Sequence, residues 1–232
     1  MLELRKQVYE ANMELYRNHL APLTWGNVSQ VDRSLGVMAI KPSGVPYERL
    51  SAEDITVVSL ETGERVAGHL NPSSDTPTHL ALYRAFPGIG GITHTHSPYA
   101  TAWAQAGRPL RCLGTTHADC FYGEVPVTRY VSREEAARAY EAETGTVIVE
   151  AFAGRDPVHT PGVLVRGHGP FTWGDSALKS VHNAITLEEV ARMNLLTLLL
   201  DGNVPDLPEA LQSKHFERKH GPNAYYGQEN NG

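Results

Sequence analysis

His94 and His96 stand two residues apart in Ile92-Thr93-His94-Thr95-His96-Ser97, and this spacing suggests a metal. Side chains of a β-strand alternate between faces, so two histidines at i and i+2 point the same way and can share one ion. A strand also carries paired histidines for packing or solvation, so the pair needs support from elsewhere in the chain. Asp75 lies in the small polar loop Pro72-Ser73-Ser74-Asp75-Thr76-Pro77, and His168 follows the apolar run Val163-Leu164-Val165 in Arg166-Gly167-His168-Gly169. Three histidines and one carboxylate suit a borderline divalent cation such as zinc, with manganese or cobalt as substitutes. The competing reading makes Asp75 a helix cap and His168 a turn residue between glycines.

A second set is suited to anions. Lys41-Pro42-Ser43-Gly44 offers a cation, a hydroxyl and a flexible backbone, and Ser73-Ser74 precede an expected helix start, where amide groups favour negative charge. Asn27, in Gly26-Asn27-Val28-Ser29, can add an amide donor. Each fragment alone is equally an ordinary turn or a solvated strand end. A third set is suited to proton transfer: Thr115, His117 and Asp119 crowd one segment, and the tail carries Lys214-His215-Phe216-Glu217-Arg218-Lys219-His220 and Ala224-Tyr225-Tyr226-Gly227-Gln228. An aspartate and a tyrosine exchange protons where a site tunes them toward neutrality. A charged terminal helix is equally a solvated face, and spacing alone singles out neither Asp119 nor Tyr226.

These residues need elements to position them. Apolar positions at Leu4, Val8, Ala11, Leu15 and Leu20 predict a helix over about 2–20 that ends before Pro22. Strands are expected at Val37–Ile40 and Ile55–Leu60, the latter turning at Thr62-Gly63 into a return strand near Val66. Thr76-Pro77 opens a helix running to about Phe86, which Pro87-Gly88 stops. The histidine strand spans about 91–96, followed by a helix over 99–106. Residues 108–128 read as loop with short strands near Leu110 and Val125. Ser132 caps a helix ending near Gly145, and two buried strands are expected at 146–149 and 162–165. Helices over 176–200 and about 208–220 lead into a polar tail. The pattern predicts a single α/β or α+β domain over residues 1–232, with helices covering a central, mainly antiparallel sheet.

The chain has 232 residues, enough for a closed core. A net charge of -6 gives no electrostatic footprint for nucleic acid or an anionic membrane, so a bound phosphate must be held locally. The two cysteines, Cys112 and Cys120, and a start without a signal-peptide pattern lead to the expectation of a reduced, cytoplasmic protein. The apolar stretch around Leu195 to Leu200 is too short to span a bilayer.

Seven segments carry a resemblance over nearly the whole chain. They are Leu23-Thr24-Trp25-Gly26-Asn27-Val28-Ser29, Ile40-Lys41-Pro42-Ser43-Gly44-Val45, Pro72 through His79, His94-Thr95-His96-Ser97, Gly114-Thr115-Thr116-His117-Ala118-Asp119, Gly167-His168-Gly169-Pro170, and Ala224-Tyr225-Tyr226-Gly227-Gln228. In this order they resemble the L-ribulose-5-phosphate 4-epimerases of the class II aldolase/adducin superfamily. The resemblance implies a three-layer α/β/α fold with a central antiparallel sheet, and a homotetramer with active sites between neighbouring subunits. It makes Asp75, His94, His96 and His168 a zinc site and Asn27, Lys41, Ser43, Gly44, Ser73 and Ser74 a substrate-phosphate pocket. It also makes Asp119 and Tyr226 an acid/base pair from the adjacent subunit, with Thr115, His215 and Arg218 lining that interface.

The implied reaction interconverts L-ribulose 5-phosphate and D-xylulose 5-phosphate. Carbon 4 is not adjacent to the carbonyl at carbon 2 and carries no acidic hydrogen, so its inversion requires retro-aldol cleavage and re-addition. The rival readings are a class II sugar-phosphate aldolase, which would release its aldehyde, a sister pentulose-phosphate epimerase, a metal-dependent hydrolase, and an adducin-like binding module without chemistry. The aldolases typically place a glutamate base near the metal where this chain has Asp75.

Overall fold

Val37 and Ala39 of β2 (Val37–Ile40) join one apolar cluster while Met38 and Ile40 join another, and all four are buried. A strand buried on both faces needs cover on both, and the chain supplies it with two helical layers. The computed structural model describes residues 1–221 and 224–225. Tyr226 and the rest of the tail motif beyond Tyr225 lie outside them.

The sheet comprises β1 (Asn27–Asp32), β2, β3 (Thr56–Ser59), β4 (Arg65–Ala67), β5 (Gly91–His94), β6 (Gly162–Leu164) and β7 (Pro170–Gly174). Its order is β4-β3-β2-β1-β5-β7-β6, and every neighbouring pair is antiparallel. On one face, α1 (Leu2–Arg17) presents Leu4, Val8, Ala11 and Leu15, and α6 (Ala177–Leu200) presents Ala177, Val181 and Ala184, to Val28, Val37, Ala39 and Val57. On the other, α2 (Thr76–Ala85) and α5 (Arg133–Ala151) bring Leu80, Leu82, Tyr83 and Ile148 against Met38, Ile40, Ile92 and Trp173. The remaining helices are α3 (Pro98–Ala106), α4 (Thr115–Ala118) and α7 (Glu209–His220). The expected single-domain α/β architecture with an antiparallel sheet is therefore present. Among the described residues no helix is long and apolar enough to cross a membrane.

Three local expectations fail. Residues 146–149 are helical: α5 runs through Gly145 to Ala151, because Gly145 there meets α2 instead of ending a helix. A Cβ on Gly145 would stand 2.6 Å from the Ala81 Cβ, so hydrogen is the side chain that lets the two helices cross. Gly145→Val should lower stability by about 2 kcal/mol, since overpacking outweighs the small gain in helix propensity. A urea midpoint that falls at constant m would register it, and an unchanged midpoint would show that the crossing has slack. Secondly, the segment after Gly114 forms the short helix α4 in place of loop. Thirdly, β5 stops at His94, so His96 lies just beyond the strand. β1 and β7, which periodicity did not single out, flank β5.

Candidate functional site

The antiparallel register brings the site together at one end of the sheet. His94 is the cross-strand partner of Asn27 on β1 and of Phe171 on β7. Its ring stacks on Phe171 at 4.1 Å, and its Nδ1–H donates to the Pro170 carbonyl at 2.9 Å. That bond leaves the Nε2 lone pair free, the arrangement a metal-binding imidazole needs. His94 Nε2 lies 3.1 Å from His96 Nε2, although His96 has left the strand. The β6–β7 turn, closed by the Val165 and Gly169 backbones, delivers His168. Donor nitrogens of His94, His96 and His168 all fall within 4.8 Å of one another.

Burial pushes His94 down to about 3, and desolvation moves His96 and His168 in the same direction. All three imidazoles are therefore neutral at physiological pH, and each can offer one ring nitrogen within 4.8 Å of the other two. Three neutral imidazole nitrogens this close together can share one cation, so the donor set fits a borderline divalent ion.

Asp75 precedes α2 at the N-cap position, but its side chain makes no capping bond. Instead its Oδ2 accepts from Asn27 Nδ2 at 2.7 Å, at the edge of a cavity that His94, His96 and His168 also line. Burial raises its pKa, but His94, His79, the Asn27 donor and His168 together pull it below the ordinary carboxylate value. An anion beside three neutral imidazoles supplies the charge that an ion would balance. The histidine cluster does not include Asp75, which reaches it through this electrostatic coupling.

The anion set lines the same cavity of about 620 Å³: Asn27, Lys41, Ser43, Gly44, Ser73 and Ser74 all border it. A short antiparallel bridge aligns the two loops, with Ser43 N donating to the Asn71 carbonyl and Ser73 N to the Lys41 carbonyl, each at 3.0 Å. Gly44 takes a φ of +68°, a left-handed conformation that glycine adopts without strain. Asn27 Nδ2 also reaches Ser73 Oγ at 3.1 Å, so one amide ties the carboxylate beside the histidines to the serine loop. Lys41 is 1% exposed; its Nζ donates to the Val45 carbonyl at 2.8 Å and lies over the Tyr47 ring. Burial lowers its pKa to about 8.

The third set lies elsewhere. Asp119 ends α4, and its carboxylate accepts from Arg218 Nη2 at 2.7 Å, Arg218 Nε at 3.0 Å and His215 Nδ1 at 3.1 Å, with Lys219 Nζ at 3.4 Å. Burial opposes the charge, but these donors hold the pKa below its ordinary value. Neither Thr115, Asp119, His215 nor Arg218 lines the histidine cavity of its own chain. His117 is a buried residue of α4 bonded to the Gly123 carbonyl at 2.7 Å, outside both sites.

Sequence reasoning missed Tyr140, Glu141 and Trp25 at the cavity. It also missed His79, buried beneath it, whose Nδ1 bonds Ser29 Oγ at 2.7 Å while Tyr83 holds the same hydroxyl at 2.8 Å. The i+4 spacing from Asp75 to His79 at the start of a helix was the available signal for His79. Tyr140 had none, because its segment reads as an exposed helix.

Three solved structures share the fold over nearly the full length. An L-fuculose 1-phosphate aldolase superposes with a TM-score of 0.76 at 26% identity, covering 93% of this chain and 95% of its own. YgbL from Klebsiella pneumoniae, whose description leaves aldolase, epimerase and decarboxylase open, gives 0.72 at 28% identity over 91% and 97%. The L-fuculose-1-phosphate aldolase from Thermus thermophilus gives 0.65 at 27% over 88% and 98%. Residues 6–195 match the Class II Aldolase and Adducin N-terminal domain. With that match spanning most of the chain, and the histidine cluster and serine loops assembled at one sheet end, the protein belongs to the class II aldolase and adducin family.

Proposed function

We propose that the protein is an L-ribulose-5-phosphate 4-epimerase, inverting carbon 4 by cleaving and re-forming the bond between carbons 3 and 4. The observation that carries this reading is the state of Asp75. Held by Asn27, with its pKa below the ordinary carboxylate value, it is a short, anchored anion better suited to ligating a cation than to taking up a proton. The proton transfers then fall to groups from outside this cavity, for which the family resemblance supplies Asp119 and Tyr226 of a neighbouring subunit in a homotetramer. His94, His96, His168 and Asp75 would hold a divalent cation, zinc by preference. Such an ion supplies Lewis-acid stabilisation of negative charge on the substrate's carbonyl and adjacent hydroxyl oxygens.

The chain's own residues do the positioning. Lys41, Ser43, Gly44, Ser73 and Ser74 grip the phosphate, which stays with the aldehyde fragment after cleavage. That grip keeps glycolaldehyde phosphate in place while its carbonyl rotates and presents the opposite face. Lys41 is the charged member, so the free enzyme loses attraction for the phosphate as pH rises through about 8. The lysine is charged below that value and neutral above it. On this reading kcat/KM should fall on the basic side with an apparent pKa near 8, while Lys41→Met should raise KM and remove that limb of the profile. A wild-type profile flat to about pH 10 would place Lys41 in the ordinary lysine range, and an unchanged KM in Lys41→Met would count against it as the phosphate cation.

Similarity to fuculose-phosphate aldolases favours a second reading, a sugar-phosphate aldolase that releases its aldehyde. Phosphorus NMR of the protein with L-ribulose 5-phosphate separates the two. Appearance of D-xylulose 5-phosphate, lost with chelator and regained with zinc, supports the epimerase. Accumulation of glycolaldehyde phosphate alone supports the aldolase, and an unchanged substrate spectrum rejects both for this sugar.

A further inference from the structure

Tyr140 belongs to none of the three residue sets, yet it touches the histidine cluster. Its hydroxyl lies 3.1 Å from His168 Nδ1, the two rings are inclined by only 25° with centroids 6.1 Å apart, and it borders the cavity. A break in α5 puts it there: Ala139 adopts extended backbone, φ -168° and ψ 74°, so the helix restarts at the tyrosine. The restart is pinned. The Glu141 carbonyl accepts from Thr78 Oγ1 on α2 at 2.6 Å, and the Tyr140 carbonyl accepts from Thr144 Oγ1 at 2.9 Å. The preceding turn is fixed by the Ser132–Glu135 capping box and by Arg129, which bonds both Glu135 and Glu150. Although 39% exposed, Tyr140 therefore sits on a backbone held from both sides.

An imidazole that offers Nε2 to a cation carries its proton on Nδ1, and a partner for that proton fixes tautomer and ring plane. For His94 the partner is the Pro170 carbonyl. His168 stands in a turn, half-buried, where the tyrosine hydroxyl occupies the equivalent place. We propose that Tyr140 is the positioning residue of the third histidine, its hydroxyl accepting the Nδ1 proton of His168 so that Nε2 faces the cluster. With its lone pair so used, the hydroxyl's own proton is free to turn toward an oxygen of a ligand in the cavity. The inference rests on the divalent cation proposed for the cluster.

The test uses the full chain stripped with chelator. Zinc affinity is measured by competition with a chromophoric chelator, and the visible spectrum is recorded after loading with cobalt, for wild type, Tyr140→Phe and His168→Ala. Phenylalanine keeps the ring and removes only the acceptor. Tyr140→Phe should weaken zinc binding about tenfold and shift the cobalt bands, with thermal unfolding of the metal-free protein unchanged. Wild-type affinity and spectrum in Tyr140→Phe, together with loss of metal in His168→Ala, would overturn the role of Tyr140 and leave the metal site standing. Equal zinc affinity in all three proteins would overturn the metal reading, and this proposal with it.

Discussion

His94→Ala should purify as a folded protein, retain no stoichiometric divalent metal, and turn over L-ribulose 5-phosphate at least about a thousandfold more slowly than wild type. The magnitude follows from removing several kcal/mol of charge stabilisation, at roughly 1.4 kcal/mol per tenfold in rate. His94 is chosen because its geometry is the most determined of the three. Its Nδ1 is bonded to the Pro170 carbonyl, its ring stacks on Phe171, and burial keeps it neutral far below physiological pH. Truncation also opens a gap against Phe171, so some loss of stability is expected. His96→Asn, at an exposed position outside the strand, provides the control with less packing at stake. Metal content after purification without chelator, read beside turnover, decides the matter: a His94→Ala protein with full activity and no bound metal would remove the cation from the mechanism.

How much of this was legible beforehand depends on what kind of signal each residue leaves. The i, i+2 histidines and the Lys-Pro-Ser-Gly and Ser-Ser-Asp loops are local patterns, and their chemistry is readable without knowing the fold. Their convergence is not local. His94 and Asn27 meet through antiparallel register between β1 and β5, far apart in the chain, and the two anion loops meet through a bridge between Pro42 and Pro72. Periodicity also misread 146–149, where Val147 and Ile148 form the buried side of a helix beside Gly145 and α2. A short apolar run does not distinguish strand from helix, and the deciding fact, the Ala81 methyl facing Gly145, lies on another element. Tyr140 is the extreme case: its approach to His168 depends on one extended residue inside a helix, for which the sequence carries no marker. Asp119 shows the opposite limit. The family resemblance groups His215 and Arg218 with it, and both meet its carboxylate, but away from the histidine cavity of their own chain.

That separation leads to the sharpest expectation for the assembled enzyme. If the metal half of each site comes from one subunit and the Asp119 half from its neighbour, His94→Ala and Asp119→Asn damage different halves of the same composite site. Each variant alone should be nearly inactive. Dissociated together in equal amounts and reassembled at random, they should regain about a quarter of wild-type activity, because each half is intact in half of the chains and the two assort independently around a closed ring. The double variant His94→Ala/Asp119→Asn, mixed with wild type, provides the dilution control. Asp119→Asn is a fair partner because its carboxylate is bound by His215, Arg218 and Lys219 on the surface of α7, so the amide keeps the shape while removing the charge. No recovery on mixing, with proven subunit exchange, would confine the chemistry to single chains and require Asp119 to act, if at all, through its own α4–α7 contact. Near wild-type activity in Asp119→Asn alone would remove it from the acid/base pair and leave proton transfer at that face to Tyr226 or to a group on the cavity wall.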